Sequence, residues 1–134
     1  MRVSNTTGNP QWTASIAADA GATAFWNGTN DYDFNDPTAN AGDGGDADSF
    51  GGRMNIDASV GTLAGTCSTT GITKGSSAGF SQGVTDSITL LTAGGTADTG
   101  CYWDFTGIAV SQTIPGEQAT DNYSIAMTLT VVAI

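Results

Sequence analysis

Apolar and polar residues alternate along much of this chain with a period of two, the pattern of half-buried strands. Residues 53 to 60 put Met54, Ile56, Ala58 and Val60 on one face, with Arg53, Asn55, Asp57 and Ser59 on the other. Residues 11 to 17 align Trp12, Ala14 and Ile16, residues 22 to 26 form a short apolar run ending in Phe25 and Trp26, and residues 84 to 91 align Val84, Ile88 and Leu90. Cys101, Trp103 and Phe105 share a face, after which the apolar set moves to Ile108, Val110 and Ile114. That change of parity predicts a bulge or bend at Gly107, and Pro115-Gly116 predicts a turn. The last segment, residues 123 to 134, aligns Tyr123, Ile125, Met127, Leu129 and Val131 and is the longest predicted strand.

Apolar residues at helical spacing are not sustained anywhere, because Gly, Thr, Ser and Asn interrupt every window. The expected fold is therefore all-β: an antiparallel β-sandwich of about seven to eight strands with one disulfide, formed by residues 1–134 as a single domain. A chain of 134 residues is long enough for one hydrophobic core.

Charge narrows the function classes. The net charge is −10, with 13 acidic residues against only Arg2, Arg53 and Lys74. No basic surface exists to neutralise phosphates, so nucleic acid is not an expected partner. No apolar stretch is long enough for a helix to span a bilayer, so membrane insertion is not expected either. Histidine is absent, which removes the commonest general base and the usual activator of Ser or Cys nucleophiles. The chain is accordingly expected not to be an enzyme.

Cys67 and Cys101 lack C-x-x-C spacing and have no His to join them in a zinc site, so a structural disulfide is the preferred reading, with two buried thiols as the alternative. A disulfide implies an oxidising compartment and hence an extracellular location. Met1 leads directly into polar sequence without a signal peptide, so an exported protein would here be in a mature or truncated form.

Six of the 13 acidic residues fall between Asp31 and Asp48. Oxygen ligands joined by flexible glycines suit calcium, and the candidate ligands are Asp31, Asp33, Asn35, Asp36, Asp43, Asp46 and Asp48. Asp31, Asp33 and Asn35 match the opening of a helical calcium loop, but Asp36 replaces its glycine and Gly42 its closing Glu, which excludes an EF-hand. The competing reading is a strand with Tyr32 and Phe34 facing the core and the acids facing water. A glycosidase carboxylate pair is a third reading, with no other catalytic residue to support it.

Trp12 and Trp103 fit apolar alternation and are expected in the core. Trp26 precedes the turn Asn27-Gly28-Thr29 and is the candidate ligand-binding aromatic. The terminal strand runs apolar to Ile134 with no charge to blunt it, and must be buried or paired. Since Arg2-Val3-Ser4-Asn5 also reads as a strand, an edge without its covering partner is expected, to be completed by strand pairing with another copy.

Gln11-Trp12-Thr13-Ala14-Ser15-Ile16, Tyr32-Asp33-Phe34-Asn35-Asp36, Asp46-Ala47-Asp48-Ser49-Phe50-Gly51-Gly52-Arg53-Met54 and Tyr123-Ser124-Ile125-Ala126-Met127-Thr128-Leu129-Thr130-Val131 together resemble secreted bacterial β-sandwich cell-surface proteins, the WxL-like group. Trp12 stands where that group has the Trp of its first motif, Ala14 where it has Leu, and Met127 where its second motif has Trp. The resemblance implies a structural protein of the cell surface, with cell-wall glycan as its partner.

The expected function is thus a non-catalytic extracellular structural protein, self-assembling into a filament or surface layer and stabilised by calcium. The alternatives are a calcium-dependent module binding glycan or cell wall, and a virion decoration protein.

Overall fold

A computed structural model describes residues 1–36, 51–114, 116 and 118–134. Strands β1 (Arg2–Asn5), β2 (Trp12–Ala18), β3 (Phe25–Trp26), β4 (Tyr32–Asp33), β5 (Met54–Asp57) and β6 (Thr62–Gly65) make up the first part. Strands β7 (Ile72–Lys74), β8 (Ser77–Gly79), β9 (Ser87–Ala93), β10 (Cys101–Thr106), β11 (Ala109–Gln112) and β12 (Met127–Ala133) follow. The only helical piece among the described residues is a 3-10 turn at Gly21–Thr23.

The molecule is all-β, as the alternation predicts, but its strands are shorter and more numerous than seven or eight. Every pairing is antiparallel, in sheets ordered β12-β2-β9-β7, β1-β10-β6 and β11-β5-β8, with a two-stranded ribbon β3-β4. These sheets pack on a single core in a sandwich-like arrangement. One inner surface supplies Trp12, Ala14, Ile88, Leu90 and Leu91, and the opposing sheets supply Val3, Trp103, Phe105, Met54 and Ile56. The rings of Trp12 and Trp103 meet across this core at 5.9 Å, and those of Phe34 and Phe80 at 5.0 Å. Buried Trp103 keeps its indole N–H satisfied by donating to the Ser68 carbonyl at 3.0 Å.

The disulfide is present. Cys67 and Cys101 lie 5.9 Å apart at Cα and join the segment after β6 to the first residue of β10. Gly107, with φ +71°, occupies a left-handed conformation that side-chain-bearing residues rarely adopt, and it stands where the chain leaves one sheet at β10 and enters another at β11. The parity change at this glycine is therefore a crossing between sheets rather than a bulge within one.

A bulge does occur in β9. Ala14 pairs with Leu91 and Ser15 with Thr89, so Leu90 is an extra residue opposite β2. It moves the inward face from Ile88 and Leu90 to Leu91 and Ala93, which is why all four are buried.

Several residues on the apolar faces of the expected strands lie outside the core. Val60 and Val84, expected within strands 53 to 60 and 84 to 91, fall in turns outside β5 and β9, and Val110 and Ile114 are exposed on and beyond β11. Period-two alternation marks which residues share a face, but it does not say whether a second sheet covers that face. The final strand is likewise shorter than expected, beginning at Met127 rather than Tyr123.

Candidate functional site

Two regions hold the residues that the sequence singles out: the hairpin β3-β4 with the acidic segment behind it, and the free edge of β12. In the hairpin, Phe25 pairs with Asp33 and Trp26 with Tyr32. The connecting turn is held by the Gly28 amide donating to Asp31 Oδ1 at 2.9 Å. The Thr29 amide donates to Asp121 Oδ2 at 2.6 Å, so a distant carboxylate secures the same turn.

Trp26 is half-buried and stacks on Tyr32 at 6.2 Å, and Tyr32 meets the edge of Tyr123 at 5.1 Å. Tyr123 is fixed by its hydroxyl, which donates to the Ala119 carbonyl and accepts from Gln118 Nε2, each at 2.8 Å. Burial raises the Tyr32 phenol pKa above its ordinary value, and nearby Tyr123 adds to the shift. Trp26 is thus one wall of a packed aromatic cluster, with one ring face already occupied.

Beyond Tyr32 the chain turns inward. Phe34 is in the core, as the solvated-strand reading requires, but Asp33, Asn35 and Asp36 are buried as well, which that reading does not allow. Asn35 donates through Nδ2 to the Ala22 carbonyl at 2.7 Å, tying the segment to the 3-10 turn. The backbone is equally committed: Met54 donates to Phe34 O at 2.6 Å and Asp36 to Gly52 O at 3.0 Å. Asp31 remains nearer the surface, with its carboxylate capping the turn.

Asp33, Asn35 and Asp36 are therefore withdrawn from water along one short stretch of chain, whereas the Asp31 carboxylate accepts from the Gly28 amide in the turn. Asp43, Asp46 and Asp48 lie outside the described residues. Among the described residues no three His, Cys, Asp or Glu side chains come close enough to hold a metal ion.

The second region is an edge. β12 pairs with β2 in register from Met127 opposite Ala18 to Ala133 opposite Trp12. Because directly paired residues share a face, Met127, Leu129, Val131 and Ala133 point to the same side as buried Ala18, Ala14 and Trp12. Yet Leu129 is 53% exposed and Val131 51%. β12 ends its sheet, and no described strand pairs its outer edge.

Across an open groove stands β1, the end strand of another sheet. Val3, Ser4 and Asn5 line one side, Val131 and Ala133 the other, with Trp12 between them. From Ser124 to Ile134 there is no ionisable side chain, and Asn9 Nδ2 holds the last residue by donating to its carbonyl at 2.8 Å. The sequence identifies this strand, but its exposure follows from its place in the sheet. No protein-family model, curated protein or solved structure matches the chain.

Proposed function

We propose that this protein is a non-catalytic structural module of an extracellular surface that associates with further copies through its open strand edges. The observation that carries this reading is β12: seven residues long, uncharged, half exposed on its inward face and unpaired along one side among the described residues. Such an edge presents backbone donors and acceptors to any extended partner, and soluble proteins normally blunt it with Lys, Pro or a bulge. The disulfide supports an oxidising location, and the resemblance to the WxL-like group supports the cell surface.

Calcium is the proposed stabiliser of the acidic segment, with Asp33, Asn35 and Asp36 as inner oxygen ligands and Asp31, Asp43, Asp46 and Asp48 as the further candidates. Burial of three oxygen-bearing side chains at the entrance to this segment supports that assignment. A glycan site built on Trp26 is the weaker reading, since its ring is stacked on Tyr32.

Light scattering after size exclusion, run over a hundredfold concentration range, tests the assembly. A mass that grows with concentration supports the reading, and a monomer throughout overturns it.

A further inference from the structure

We infer that β12 pairs with β12 of a second copy about a two-fold axis at Thr130, extending the four-stranded sheet into one of eight. The inference rests on the self-association reading and supplies its partner, geometry and register. A two-fold axis perpendicular to the sheet keeps inward residues beside inward residues, so each β12 position must meet a partner position of the same parity. Of the registers that satisfy this, only the one centred on Thr130 pairs all seven residues from Met127 to Ala133.

In that register Leu129 meets Val131 of the other copy and Met127 meets its Ala133, which continues the inward apolar face without a break. On the outer face Thr130 meets itself and Thr128 meets Val132. No apolar residue of the inward face is set against a polar one, which is the self-complementarity that an isologous contact requires.

The uncharged edge permits this contact between two acidic copies. Each copy carries a net charge of −10, so two copies repel at most orientations, whereas Ser124 to Ile134 contains no charge. Asp19 touches the strand, accepting a hydrogen bond from Thr128 Oγ1 at 2.7 Å. Pairing is thereby expected to strengthen with salt, as the remaining repulsion is screened. A two-fold contact closes on itself, so any filament must use a different edge in addition.

The test combines cysteine cross-linking with a charge placed on the edge. Cys67 and Cys101 are already joined, so Thr130→Cys introduces a lone thiol that meets its own copy at the axis. Under mild oxidation T130C is expected to form covalent dimers at least tenfold faster than T128C, whose thiol faces Val132. Val131→Lys alters a half-exposed position and is expected to leave the circular dichroism unchanged while abolishing the dimer in sedimentation.

Assembly that persists in V131K, with T130C no faster than T128C, overturns this inference and leaves self-association through another edge standing. A head-to-tail array on β12 gives equal cross-linking at the two positions and overturns it as well. A wild-type monomer at every concentration and salt sinks both the pairing and the wider reading.

Discussion

At the scale of residues, the N-terminal strand is pinned by one surface contact that has a pH signature. Arg2 donates twice to the Asp104 carboxylate at 2.8 Å and lies 4.0 Å from the centre of the Tyr102 ring. The hydrogen bonds from Arg2, with its charge as a smaller contribution, hold the Asp104 pKa below its ordinary 3.8. Hydrogen bonds from Thr29, and then from the Asn122 amide, lower that of Asp121 in the same way. A carboxylate with a depressed folded pKa stabilises the fold above its unfolded value, and that contribution is lost as pH falls through the folded one. Stability should therefore decline as pH drops from about 5 toward 2, and Asp104→Asn should flatten part of that decline in an acid melt. Both groups are exposed, so the effect is small. Gly28 is constrained sterically, since a Cβ there would overlap the Tyr123 ring. Gly28→Ala should cost about 1–3 kcal/mol and weaken the near-ultraviolet circular dichroism of the Tyr32–Tyr123 pair.

At the scale of elements, β9 and β12 show opposite fates for apolar strands. β9 lies between β2 and β7, and its bulge at Leu90 lets residues of both parities reach the core. Leu90 is fully buried, so Leu90→Ala should destabilise by about 2–5 kcal/mol in a denaturant titration. β12 has one neighbour and an inward face that nothing among the described residues fully covers, so Leu129→Thr should leave the monomer within about 0.5 kcal/mol of wild type. The contrast was only partly legible in the sequence. Alternation identifies both as strands, and the lack of charge marks the last as unprotected, but alternation puts only Ile88 and Leu90 on the inward face, and Leu91 joins them through the bulge opposite β2. Val110 and Ile114 share the apolar set after Gly107 yet are exposed for the same reason: the residues name a face, and neighbours decide whether it is covered.

At the scale of the whole molecule, a disulfide spanning 34 positions ties together two parts of the chain that meet only through folding. Its closure should contribute about 4 kcal/mol in the chain-entropy picture, so paired Cys67→Ala and Cys101→Ala changes should lower the unfolding free energy by roughly that amount. Calcium, if it joins Asp33, Asn35 and Asp36 to the segment that follows them, binds the folded state alone and should raise the midpoint of thermal unfolding. Excess chelator should reverse the rise. An unchanged midpoint would remove the metal and leave these side chains as buried polar structure.

The amino-acid order alone determined the strand-forming character of the chain, a preference for a disulfide over a metal site at its two cysteines, the burial of Trp12 and Trp103, and the lack of any charge to protect the terminal strand. These properties are local or compositional: period-two alternation, two cysteines without a metal partner, and a final strand with no charged side chain. Only the tertiary structure decided that Asp33, Asn35 and Asp36 turn inward, that Trp26 stacks on Tyr32, and that β12 ends its sheet with Leu129 and Val131 half uncovered. Those outcomes depend on which strands become neighbours, and pairing between residues far apart in sequence is set by how all the faces are buried together rather than by any one segment.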